Sequence, residues 1–169
     1  MADTTDSAQE TATAGNQPAR AEPRLKLSSQ YIKDLSFENP NAPQIYSELT
    51  AESGIDVTIN VDLTHMQDRL YEVVLSISVK ANAKERAAFV IELEFAGLAT
   101  PAQRVPDEEV EHLMLTEVPR HLFPFARAII GDVTRDGGFP PLLINPIDFE
   151  ELFRHRQETD RKLADAGAN

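Results

Sequence analysis

The chain has 169 residues, 28 acidic side chains against 16 basic ones, four His, no Cys and a formal net charge of −12. Its length allows one ordinary domain with a useful core. A polyanion gains no counterion release from nucleic acid, so the expected partners are basic or apolar and nucleic acid is excluded. Without Cys there is no disulfide, Cys-ligated zinc or thiol nucleophile.

Residues 1–24 carry no large apolar side chain after Met1 and cannot bury enough surface to offset their ordering entropy, which predicts a disordered tail. The tail has no basic n-region followed by an apolar run, and no stretch of the chain is apolar for long enough to span a bilayer. A soluble, cytoplasmic protein with no direct membrane insertion is expected. Four acids and two Arg put −2 on the tail, leaving −10 on residues 25–169.

A weak alternation over 31–38 sets Tyr31, Leu35 and Phe37 against Ile32, Asp34, Ser36 and Glu38, and then meets Pro40 and Pro43, which break ladder and helix alike. From 55 to 64 the alternation is strict: Ile55, Val57, Ile59, Val61 and Leu63 are separated by polar residues. Tyr71, Val73, Leu75, Ile77 and Val79 repeat the pattern, as do Ala87, Phe89, Ile91, Leu93 and Phe95. Short polar connections near Gln67 and Asp68, and over 82–85, suit hairpins.

The period then changes. Pro106 followed by Asp107, Glu108 and Glu109 is a helix start. Apolar residues recur at helical spacing from Val110 to a stop at Gly131, with Pro119 and Pro124 expected to kink or split the run. Gly137, Gly138, Phe139, Pro140 and Pro141 read as a turn. Asp148 and Glu151 resemble a capping box for a last helix, before a small, polar end at 164–169 that should fray. The fold class expected is α+β, a four-stranded, mainly antiparallel sheet with two helices on one face.

Of the 19 odd-numbered residues in the four strand segments only Lys33 is not apolar, so the odd face is core. The even face holds Asp34, Glu38, Asp56, Asp62, Glu72, Glu92 and Glu94 against Lys80 alone. A solvated face normally mixes signs; this one suits a basic partner. Phe123, Phe125, Ile129 and Ile130 cannot share one narrow helical stripe, so an apolar surplus remains for another subunit and predicts an obligate oligomer. No catalytic constellation is present: the four His lack metal spacing, and Pro140 and Pro141 remove amides that a phosphate loop would use. Binding without cofactor or metal, rather than catalysis, is the expected work.

The strings YIKDLSFENPNAP (31–43), YEVVLSISVKA (71–81), FVIELEFAGL (89–98), LFPFARAII (122–130) and GGFPPLLINPIDFEELF (137–153) resemble the SecB family of bacterial protein-export chaperones, in order and over residues 25–155. The resemblance implies a dimer of dimers that holds unfolded precursor proteins and delivers them to the SecA ATPase, in a chaperone domain spanning 25–163. It implies SecA docking at Asp34, Glu38, Val90 and Glu92, and packing between dimers at Ile91, Leu93 and Phe95. A client groove near Phe37, Ile45, Tyr46, Phe139, Leu142, Phe149, Leu152 and Phe153 follows from position. The competing reading is an oligomeric α+β adaptor or scaffold that binds a specific folded partner.

Overall fold

A computed structural model describes residues 22–48 and 54–167; most of the predicted N-terminal tail lies outside the described residues. Among the described residues, four strands and two α-helices follow one another as β1 (Leu25–Glu38), β2 (Gly54–His65), β3 (Tyr71–Ala83), β4 (Arg86–Pro101), α1 (Asp107–Asp136) and α2 (Phe149–Gly167), with a 3₁₀ turn at Gln44–Ser47. The sheet is antiparallel throughout, in the order β1-β4-β3-β2, so β1 and β2 are its edges.

The two hairpins fall where the polar connections predict them. Lys84, in the two-residue turn between β3 and β4, and Asp68, between β2 and β3, take positive φ values of 56° and 51°. The alternation is obeyed in the centre of the sheet, where Val73, Leu75, Ile77, Val79, Ile91 and Leu93 are at most 1% exposed. α1 covers them, contributing Leu113, Met114, Val118, Leu122, Ala126 and Ile130 to the same core.

Strand β1 departs from simple parity. Ile32 pairs with Phe95 and Asp34 with Glu94, leaving Lys33 as the extra residue of a β-bulge. The insertion exchanges the faces on its N-terminal side: Tyr31 pairs with Ala96 on the polar face, and Ile32 lies with Phe95 on the apolar one. Tyr31 therefore does not join the core as its odd number predicts. Its hydroxyl donates to Glu72 Oε1 at 2.5 Å, and Lys33 Nζ reaches Glu72 Oε2 at 2.8 Å. Lys33, the one misfit of the odd face, has its charge met on the other side.

α1 is one helix of 30 residues, roughly 45 Å long, not two pieces. Pro119 and Pro124 each remove one intrahelical donor, but Val118, Pro119, Leu122 and Phe123 are buried between sheet and α2, and packing carries the helix through. Gly131 is buried within the helix rather than ending it; the stop is at Gly137, whose amide bonds back to the Val133 carbonyl. Acids in the first turn of α1 face its positive end and also form ties: Arg69 to Asp107 at 2.7 Å and Arg24 to Glu109 at 2.5 Å.

α2 packs on α1. Phe149 is buried against Phe123, with ring centroids 6.1 Å apart, and His112 of α1 meets Glu150 at 2.8 Å. Asp148 Oδ1 caps the helix by accepting from the amides of Glu150 and Glu151. The Glu151 carboxylate looks forward to His155 and Arg154 instead of completing a capping box. α2 runs past 163 to Gly167, because good helix formers such as Ala164 extend a helix without needing burial. No helix among the described residues is long and apolar enough to cross a membrane.

Two groups beside the bulge, Tyr31 of β1 and Glu72 of β3, titrate with stability. The hydrogen bond to Glu72 pushes the Tyr31 hydroxyl up to about 12, and Lys33 and Tyr31 together hold the Glu72 carboxyl below its ordinary range. Tyr31 binds its proton more tightly when folded, so its contribution is complete below its ordinary value of 10.0 and is lost as pH rises from there to about 12. Glu72 contributes above 4.5 and loses that contribution as pH falls. Urea titrations at pH 7, 9 and 11 should show the stability gap between the natural chain and Tyr31→Phe shrinking only at pH 11. A gap independent of pH would refute the assignment.

Candidate functional site: an acidic sheet face and an apolar groove

The polar face of the sheet brings Asp34, Glu38, Val90 and Glu92 together on two neighbouring strands. Asp34 lies opposite Glu94, Glu38 opposite Val90, and Glu92 between Ser36 of β1 and Ser78 of β3. Ser78 Oγ donates to Glu92 Oε1 at 2.8 Å. Asp34, Glu38 and Glu92 are exposed and Val90 is half-buried. Elsewhere on this face Glu72 is held by Tyr31 and Lys33, Asp56 lies opposite Lys80 in the β2–β3 register, and Asp62 accepts from Asn60. Among the described residues Glu72 alone of the seven acids forms an ion pair; of the other six, four lie on β1 and β4 and two on β2. Asp34 facing Glu94 is a like-charge pair that the fold tolerates at a cost.

The eight residues expected near a groove fall into two neighbourhoods. Around the end of β1, Phe37 stacks on Phe89 at 6.0 Å, Phe89 meets Phe139 at 4.8 Å, and Phe139 meets Tyr46 at 5.2 Å. Ile45 and Phe139 are buried, Phe37 is half-buried and Tyr46 is 40% exposed. Tyr46 Oη donates to the Gly137 carbonyl and accepts from Asn39 Nδ2, which ties the 3₁₀ turn to the end of α1. Leu142 follows, half-buried, its amide donating to Thr134 Oγ1. Phe149 belongs to the core.

The second neighbourhood is an open groove of about 350 Å³ between β2 and α2. Leu152 and Phe153 line it, together with Val61, Leu115, Asn60, His155, Arg156 and Thr159. Sequence reasoning assigned only the first two. Val61 reads as core from its parity and Arg156 as an ordinary late-helix base, so nothing in either local pattern marks a shared wall. Among the described residues no group of three or more His, Cys, Asp or Glu is placed to hold a metal.

Ile91, Leu93 and Phe95 lie under the chain's own α1, 0%, 1% and 6% exposed. Phe95 stacks with Phe125 at 6.3 Å, and Phe125 itself is 54% exposed. Beside it, on the same face of β1, Ile32 and Leu35 are also exposed. Of the four α1 residues expected to leave an apolar surplus, Phe123 and Ile130 are buried and Ile129 is half-buried against the core, which leaves Phe125 exposed at the β1 edge.

The joint between β1 and α1 is tight. A Cβ on Gly137 would stand 2.3 Å from Phe37 Cζ, whereas one on Gly54 meets nothing within 4 Å. Gly137→Ala should lower unfolding free energy by about 1–3 kcal/mol by driving the Phe37 ring off Phe89. Gly54→Ala should stay within about 0.5 kcal/mol of the natural chain. Equal stabilities in a denaturant titration of the two variants would contradict this packing.

The family model described as SecB, preprotein translocase subunit SecB, matches residues 18–160. The chain is 45% identical over 157 residues to the protein-export protein SecB of Parvibaculum lavamentivorans, covering 92% of each, and 46% identical over 158 residues to that of Hyphomonas neptunium, covering 93% of this chain and 90% of the relative. Among solved structures, a Mycobacterium tuberculosis SecB-like chaperone in complex with an antitoxin-derived peptide superposes with a TM-score of 0.62 over 73% of this chain and 91% of its own, at 16% identity, a likeness of fold. By its sequence, the chain belongs to the SecB family.

Proposed function

We propose that this protein is an ATP-independent holdase of the cytoplasm, a chaperone and not an enzyme, that binds unfolded precursor proteins, keeps them competent for translocation and passes them to the SecA ATPase. The observation that carries this reading is the division of labour across one sheet. Unanswered carboxylates sit on the bare face of β1 and β4, and an apolar groove opens on the helical side between β2 and α2.

An unfolded chain exposes scattered apolar side chains and free backbone groups. A groove floored by Val61, Leu115, Leu152 and Phe153 removes such side chains from water at about 25 cal/mol per Å², without reading a sequence. The exposed Tyr46 and half-buried Phe37 of the aromatic cluster offer a second apolar surface. Each contact is weak and reversible; several grooves on one particle raise the effective concentration of the next segment, so a long client is retained and still leaves stepwise.

A dimer of dimers supplies those grooves. Phe125, Ile32 and Leu35 form the exposed apolar patch that such an assembly would cover. Ile91, Leu93 and Phe95 act on assembly by supporting α1 from beneath. SecA docks on Asp34, Glu38 and Glu92 with Val90 as the apolar centre, an electrostatic encounter that weakens with salt.

Replacing both Glu38 and Glu92 by Lys should weaken SecA binding at least tenfold, leaving suppression of aggregation of chemically unfolded proteins and the tetramer mass unchanged. Intact SecA affinity in that variant would sink the docking assignment. Phe125→Asp should shift native mass from tetramer toward smaller species; an unaltered tetramer would remove the patch from the interface.

A further inference from the structure

The groove between β2 and α2 has a wall made of backbone. β2 is an edge strand, so half of its peptide groups face away from the sheet. The Met66 amide bonds to the Leu70 carbonyl, and the β2–β3 register is unbroken from there to Gly54. In an antiparallel pair, bonded and non-bonded positions alternate, so the even residues of β2 bond to β3 and the odd residues turn N–H and C=O outward. Val61, opposite Leu75, is one of the outward residues. Its carbonyl faces the groove and accepts from Arg156 Nη1 at 2.5 Å.

Arg156 is placed unusually for a cation. It lines an otherwise mainly apolar groove, and among the described residues no carboxylate lies within ion-pair distance of it. Its hydrogen bond to Val61 spans the gap between α2 and the sheet, while α2 otherwise rests on α1. We infer that Arg156 is a displaceable edge guard. It occupies the acceptor that an extended client segment needs in order to lie along β2, and it gives way when the client's own N–H takes the Val61 carbonyl. The inference rests on the groove being the client site and adds the element that regulates it. An unguarded edge beside an apolar floor would pair with any exposed strand, including one from another copy. A neutral amide displaces the guard only when apolar contacts in the groove contribute as well, so the guard favours segments that are both extended and apolar.

Removing the guard should therefore strengthen client binding. Arg156→Met keeps the stem and deletes the donors; Arg156→Lys keeps a charge that can still reach. The full chain is titrated with a fluorescent ten-residue peptide of alternating Val and Thr, and with its twin N-methylated at every second amide, which cannot donate along one edge. The expected result is roughly threefold to tenfold tighter binding of the unmethylated peptide by Arg156→Met, the size of one net hydrogen bond. Arg156→Lys should fall between, and the affinity for the methylated twin should not change. Unchanged or weaker binding of the unmethylated peptide overturns the guard, as does an equal gain for both peptides. Failure of the groove reading itself is distinct: the natural chain and both variants would then bind neither peptide and would not protect unfolded proteins from aggregation.

Discussion

A sheet built from strands of period two has one face that water must not see, and in this chain α1 hides it. Val73, Leu75, Ile77, Val79, Ile91 and Leu93 meet the helix so closely that almost none of their surface remains. Gly97 shows how tight the approach is, since a Cβ there would stand 2.8 Å from a Leu122 methyl. A 30-residue helix crossing four strands covers the centre of the sheet and leaves its corners. Every surface proposed above for a task lies on what α1 leaves uncovered: the bare polar face, the β1 edge beside Phe125, and the β2 edge beneath α2. Burial of a core thus assigns the working surfaces by exclusion.

The bulge at Lys33 sharpens the polar face. A strand keeping strict parity would bury Lys33 among apolar residues and lose Tyr31 to the core. With one residue inserted, Tyr31 and Lys33 both reach Glu72, whose side chain is only 12% exposed. That carboxylate is thereby satisfied internally and withdrawn from any encounter with a partner. Asp34, Glu38, Glu92 and Glu94 form no ion pair among the described residues, so four carboxylates without one stand where β1 and β4 pair.

Strands, hairpins and the start of α1 were legible in the sequence because alternation and capping are local consequences of burial. The bulge was not, because a one-residue insertion becomes visible only against the register of the partner strand; the lone basic residue among the odd positions was its trace. Continuity of α1 through Pro119 and Pro124 was also hidden, since the cost of a proline is local and the packing that offsets it comes from β3, β4 and α2. The acidic face was fully legible: Asp34, Glu38, Val90 and Glu92 share it as their parity implies. The groove was half legible. Leu152 and Phe153 announce an apolar helix face, but their counterpart Val61 lies on a distant strand, and 95 residues separate it from Arg156.

The acidic face and the aromatic cluster, the two faces proposed to bind partners, meet at the end of β1. Phe37 and Glu38 are consecutive: the first stacks on Phe89 in the aromatic cluster, and the second lies opposite Val90 on the acidic face. Phe37 is also the residue against which Gly137 closes, so this segment is held from the helical side by the end of α1. A strand end cannot tilt one of these residues without tilting the other, because their side chains leave the same backbone in opposite directions. A displacement of Glu38 would therefore reach Phe37 through a single peptide unit. Any influence of a docked basic partner on an apolar segment in the aromatic cluster must be matched, in equal free energy, by the influence of that segment on docking. Phe89 and Val90 repeat the relation on β4, the first in the aromatic cluster and the second opposite Glu38, so the two strands carry it side by side.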